Sequence, residues 1–156
     1  MKKILVIEDD KKHMAEANAF LEEQVGVEVI MASDYSGAKD FMYKIKYDRG
    51  KRQLVMTAKE DLAGVISDIY FPLMSKGRSD QPEPLGVRVA VELSQLEVPF
   101  VLCTAGYHHG AKYEWINSMA KIQKWDLVSS ASDHDLEAET KRWDKAYEIL
   151  AKKMER

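Results

Sequence analysis

Ile4-Leu5-Val6-Ile7 is a short, continuously apolar run that Glu8-Asp9-Asp10 ends abruptly, the pattern of a strand buried on both faces. Met14, Ala17, Leu21 and Val25 then recur at helical spacing, with Glu22 and Glu23 between them and Gly26 as a left-handed stop. Val27 to Ala32 alternates enough for a second strand. Ser33-Asp34 offers the cap of a helix carrying Ala38, Phe41, Met42 and Ile45. The chain therefore opens as β-α-β-α.

The stretch from Tyr47 to Asp61 is polar and mixed in charge around Leu54, Val55 and Met56, and reads as a long excursion rather than a linker. Gly64-Val65-Ile66-Ser67-Asp68 predicts a third strand ending in an acid. Leu73 to Pro84, rich in Ser, Gly, Asp and Pro, reads as an exposed, mobile loop. Gly86 to Leu96 resumes helical spacing through Val87, Ala90, Val91 and Leu93. Val98 to Ala105 predicts a fourth strand, with Pro99 confined to its first residues, and Gly106 breaks it. A helix over Lys112–Lys121 and a weak strand over Trp125–Ser129 follow. Leu136, Thr140, Trp143, Tyr147, Leu150 and Met154 step by four and three as the stripe of a final amphipathic helix. Five βα units in succession predict an α/β fold, a doubly wound parallel sheet with helices on both faces, in one domain over residues 1–156.

The chain has 156 residues, long enough to bury about 70% of its unfolded surface in one core. With 23 Lys and Arg against 26 Asp and Glu, the net charge of −3 gives no clustered positive charge, so no nucleic-acid partner is expected. No apolar stretch approaches the roughly 18 residues that a membrane span needs, so no membrane partner is expected. The single cysteine, Cys103, lies within an apolar run and reads as a buried small side chain. Met1-Lys2-Lys3 runs straight into the first strand, which reads as a cytoplasmic start.

In doubly wound sheets ligands collect beyond the carboxyl ends of the strands. Those ends carry Glu8 and Asp9 on the first strand, Asp68 on the third, Thr104 on the fourth, and Ser129 and Ser130 near the fifth. Carboxylates brought into one pocket raise one another's pKa unless a cation neutralises them. All-oxygen ligation suits Mg²⁺, and a metal held this way can hold phosphate.

Three segments in order, Lys3-Ile4-Leu5-Val6-Ile7-Glu8-Asp9-Asp10, Ile66-Ser67-Asp68-Ile69-Tyr70-Phe71-Pro72 and Val101-Leu102-Cys103-Thr104-Ala105, resemble response-regulator receiver domains of the chemotaxis-protein type over nearly the whole chain. The resemblance implies a flavodoxin-like sheet in the strand order 2-1-3-4-5, with insertions at about 48–62 and 73–84. It implies Asp68 as phosphoacceptor, and Glu8, Asp9, Asp68 and the backbone carbonyl of Tyr70 as the Mg²⁺ site. Thr104 would hydrogen-bond the phosphoryl group and act as the switch, and Gly86 would open the third helix. The phosphoryl donor would be a histidine kinase or a histidine phosphotransfer protein, and the output a separate protein. The chain is then a signalling protein rather than an enzyme with its own substrate.

Receivers carry a lysine at the end of the fifth strand, where Asp126-Leu127-Val128-Ser129-Ser130 offers none. Ser129 is the best-fitting substitute; Lys121 or Lys124 serves only if the strand lies elsewhere. A site without that ammonium, together with the two insertions, raises the alternative of a degenerate receiver that binds its partner without phosphorylation. Asp126 or Leu127 stands where an aromatic switch residue is usual. Simpler readings compete: Asp10 as a helix cap, Thr104 as an ordinary strand-end hydroxyl, and His13, His108-His109 and His134 as solvated surface residues. Nucleotide-binding glycine loops are missing, and Tyr70 stands where a dehalogenase-type phosphatase needs a second aspartate.

Overall fold

The computed structural model describes residues 1–75, 81–105, 111–129 and 140–156, with residues 111–113 described by backbone only. Five strands, β1 (Lys2–Ile7), β2 (Val27–Ala32), β5 (Leu62–Ser67), β8 (Phe100–Thr104) and β9 (Leu127–Ser129), form one sheet in the order β2-β1-β5-β8-β9. Every neighbouring pair is parallel. Counted among its own strands this is the order 2-1-3-4-5, with β1 an interior strand buried from Ile4 to Ile7.

The strand period of two divides the core. Ile4, Val6, Ile66, Val101 and Cys103 face α1 (Lys11–Glu22) and α5 (Trp143–Met154), meeting Ala17, Leu21, Trp143, Ala146 and Leu150. Leu5, Ile7, Val65 and Leu102 face α2 (Tyr35–Met42) and α3 (Leu85–Gln95), meeting Ala38, Met42, Val89, Ala90 and Leu93. Ile116 of α4 (Ala111–Gln123) packs with Ile69 and Leu127. Among the described residues, no helix is long and apolar enough to cross a membrane.

Two expectations are corrected here. The helix carrying Ala38 ends at Met42, and Ile45 lies on β3 (Tyr43–Asp48), which pairs antiparallel with β4 (Gln53–Ala58). The alternation Tyr-Lys-Ile-Lys-Tyr-Asp favours an extended ribbon. Asp48 accepts the Lys51 N–H at 3.0 Å in its turn, where Arg52 takes φ 54°. The last helix begins at Trp143, not near Leu136, which lies outside the described residues; Thr140 precedes the helix without belonging to it.

The loop expected to be mobile from Leu73 is tied down at both described ends. The Ser36 N–H donates to the Leu73 carbonyl at 3.0 Å, and the Ser75 N–H and hydroxyl both donate to Asp34. Farther on, β6 (Phe71–Pro72) pairs with β7 (Pro82–Glu83). Ser75, one of the residues whose composition suggested an open loop, supplies two of these anchoring donors instead.

Gly86 sets the distance between α3 and the end of β5. A Cβ there would stand 2.3 Å from the Asp68 carbonyl oxygen and 2.7 Å from Ile69 Cα, both backbone atoms that cannot rotate away. The Gly86 N–H donates to the Ile69 carbonyl at 2.9 Å, fixing the turn that carries Asp68. Gly86→Ala is expected to lower the unfolding free energy by about 1–3 kcal/mol. Urea denaturation measures this, and an unchanged midpoint contradicts the close approach.

Candidate functional site

The strand ladder places the acidic residues. Beyond the last paired residue of β1, the Glu8 N–H donates to the Ala32 carbonyl at 3.0 Å, and the Asp68 N–H donates to the Ile7 carbonyl at 2.8 Å. These bonds bring the first residues after β1 and β5 side by side. One carboxylate oxygen from each of Glu8, Asp9 and Asp68 lies within 4.8 Å of the others. Asp10 lies outside this group: it caps α1, accepting the His13 N–H at 3.0 Å.

Glu8 is fully buried. Its Oε2 accepts the backbone N–H of Asp9 at 3.1 Å and, more weakly, that of Asp10 at 3.5 Å. Asp68 Oδ1 accepts the Ile69 N–H at 2.7 Å, which orients the carboxylate, while the Ser67 hydroxyl donates to the Asp68 carbonyl at 2.8 Å. Asp9 is partly exposed and lines a cleft of about 510 Å³ with Lys11, Met14, Ser33, Pro72 and Ser75. The cluster thus has a buried floor at Glu8 and an open side at Asp9.

The expectation of a site without an ammonium is overturned by Lys141. Its side chain is 2% exposed, and its Nζ donates to Glu8 Oε1 and lies 3.1 Å from Asp68 Oδ1 and 3.4 Å from the Cys103 carbonyl oxygen. The Trp143 ring lies 5.7 Å from the same ammonium. Lys141 reaches the carboxylates from the segment just before α5, not from the end of β9. Among the described residues the buried Ser129 hydroxyl has no hydrogen-bond partner, and Lys121 and Lys124 are exposed. The helical stripe read through Thr140 hid Lys141 by placing it on a polar helix face. The missed signal was a lysine two residues before Trp143, the first buried residue of the helix.

Thr104 ends β8, is 6% exposed, and pairs in register with Ser129. Tyr70 sits on the turn after Asp68, half-buried and packed near Ile69 and Ile116. His13 lies beside Glu16 at 3.4 Å, away from the carboxylate cluster. His108, His109 and His134 lie outside the described residues.

Three carboxylates against one ammonium leave excess negative charge in a largely desolvated pocket. Burial, then the nearby Asp68 charge, push the Glu8 carboxyl up to about 8 even though Lys141 pulls it down. Burial and Asp68 likewise raise Asp9. For Lys141 burial opposes the charge, but Asp68 and Glu8 overcome it and hold the ammonium protonated above its usual range. Burial pushes the Cys103 thiol up to about 12, so it is not a nucleophile at neutral pH. The donor set of hard oxygens with uncompensated charge and an open side fits a divalent cation of the Mg²⁺ kind.

The fold has counterparts among solved structures. The bacteriophytochrome response regulator AtBRR is 18% identical, with 97% of this chain and 93% of that chain covered at a TM-score of 0.57. A response regulator receiver domain protein from Clostridium thermocellum is 17% identical, with 98% and 97% covered at a TM-score of 0.52. No family model and no curated protein sequence matches the chain. The shared architecture is the flavodoxin-like receiver fold.

Because the folded pKa of Glu8 lies above its ordinary value of 4.5, the native state holds a proton that the unfolded chain releases between about 4.5 and 8. Without divalent ions, stability is therefore expected to fall as pH rises through that window. The fall should be steeper in wild type than in Glu8→Gln, and Mg²⁺ should stabilise wild type more at pH 8 than at pH 5. Urea melts at both pH values measure it; parallel profiles for the two proteins contradict the assignment.

Proposed function

We propose that this chain is a response-regulator receiver that accepts a phosphoryl group on Asp68 and passes the change to another protein by surface contact. The observation that carries the reading is the Lys141 ammonium 3.1 Å from Asp68 Oδ1, beside the carboxylates of Glu8 and Asp9. A phosphoacceptor needs a positioned oxygen nucleophile with cationic neutralisation of the oxygens that arrive.

In this reading the donor is a phosphohistidine on a histidine kinase or histidine phosphotransfer protein. An Asp68 carboxylate oxygen forms a bond to phosphorus as the N–P bond breaks. The bonding pair leaves with the imidazole nitrogen, which takes up a proton. Glu8, Asp9, Asp68 and the Tyr70 backbone carbonyl hold Mg²⁺, which when bound supplies neutralising charge to the phosphoryl oxygens. Lys141 adds a second cationic contact to those oxygens. Thr104 donates its hydroxyl to the phosphoryl group, and the pull on Thr104 alters the surface that follows β8. The chain operates as one unit in the cytoplasm, without a substrate of its own, and carries the β3–β4 hairpin and the 73–84 segment as additions to the receiver plan.

The alternative of a degenerate receiver rested on a missing ammonium and on the two insertions, and Lys141 removes the first of these motives.

Incubation with a small-molecule phosphodonor and Mg²⁺ is expected to add one phosphoryl group to wild type by intact-protein mass spectrometry. Asp68→Asn should show no adduct, chelation of the ion should suppress the adduct, and Lys141→Met should slow its formation by on the order of a hundredfold. A wild type that stays unmodified, or an adduct that persists in Asp68→Asn, overturns the reading.

A further inference from the structure

The β3–β4 hairpin forms a two-stranded sheet separate from the main one. Residues on one of its faces are Tyr43, Ile45 and Tyr47, paired with Ala58, Met56 and Leu54. At the root this face is anchored. Tyr43 is buried, Met56 and Ala58 pack against the core, and the Tyr43 and Tyr35 hydroxyls are 2.7 Å apart. Tyr35 donates to Glu92, which also takes the Arg88 guanidinium at 2.8 Å. At the tip the same face is open, with Ile45 57%, Tyr47 60% and Leu54 70% exposed. The body of the protein therefore holds out an apolar ribbon end that it does not cover.

The two edges of the ribbon differ. β3 carries Lys44 and Lys46, the kind of charge that blunts an open strand edge. β4, Gln-Leu-Val-Met-Thr-Ala, carries no charge. Among the described residues β4 pairs only with β3, and its outward N–H and C=O groups take no backbone partner.

The residues around β4 also identify an occupant. The turn before it is basic, with Arg49, Lys51 and Arg52, and after it Lys59 is followed by the exposed acids Glu60 and Asp61, of which Asp61 is bridged to Lys3 at 2.6 Å. Antiparallel pairing of two β4 strands about Met56 sets Arg52 of each copy opposite Glu60 of the other. A parallel arrangement would set basic turn against basic turn. The antiparallel register also keeps Leu54 and Met56 of both copies on one face, because side chains alternate with a period of two. Each copy supplies both halves of the complement, and the lysine-bearing β3 strands close the outer edges.

We infer that two copies of this chain join edge to edge through β4, antiparallel and two-fold related, to make a four-stranded sheet with a continuous apolar face.

The association requires neither phosphodonor nor divalent ion, so sedimentation velocity over a concentration series without either tests it apart from the phosphoacceptor reading. Wild type is expected to show a monomer–dimer equilibrium. Arg52→Glu and Glu60→Arg should each weaken dimerisation roughly tenfold, since like charges then face each other twice. Mixing the two variants should restore the dimer, because both cross-pairs become complementary. Leu54→Lys, at a position already exposed in the monomer, should weaken the dimer while leaving the circular-dichroism melt unchanged. A monomer at every concentration, assemblies that grow beyond two, or a mixture that stays monomeric overturns the proposal.

Discussion

The Lys141 ammonium, buried between the carboxylates of Glu8 and Asp68, is the interaction on which the site depends. Removing charges from water is expensive, and a buried ion pair often contributes less stability than an apolar replacement of the same shape. A third carboxylate at Asp9 makes the arrangement still less favourable for stability. A cluster of this composition is better suited to receiving charge than to holding a fold together. One ammonium restrains the acids without neutralising them.

The sheet makes this cluster unavoidable once it forms. Backbone bonds from Glu8 to Ala32 and from Asp68 to Ile7 carry the ladder one residue past β1 and β5, so that acids far apart in sequence become neighbours. Gly86 lets α3 approach the Asp68 carbonyl more closely than any side chain would allow. From the opposite face, Trp143, Ala146 and Leu150 seat α5 in the core, and Lys141 stands two residues before that anchored helix. The position of the ammonium is therefore set by helix packing rather than by a strand.

The strands and the carboxylate cluster were legible because each rests on local pattern: continuous apolar runs for buried parallel strands, and acids at their ends. Lys141 was not, because its place depends on where α5 starts, and an apolar stripe extended through Leu136 and Thr140 moved that start upstream. The hairpin was hidden differently. Ile45 fits a helical continuation from Phe41 and Met42, yet Tyr43 to Asp48 alternates, and the β-prone run Leu54-Val55-Met56 is its pairing partner. Pairing between two marginal strands, rather than the propensity of either, decides that segment.

The most direct measurement is a crystal structure of the protein with Mn²⁺ as an anomalous stand-in for Mg²⁺. The account predicts metal density between Asp9 and Asp68, with the Lys141 ammonium still in contact with Asp68 and Glu8. Metal bound elsewhere, or Lys141 turned out to solvent with the three carboxylates apart, would contradict it.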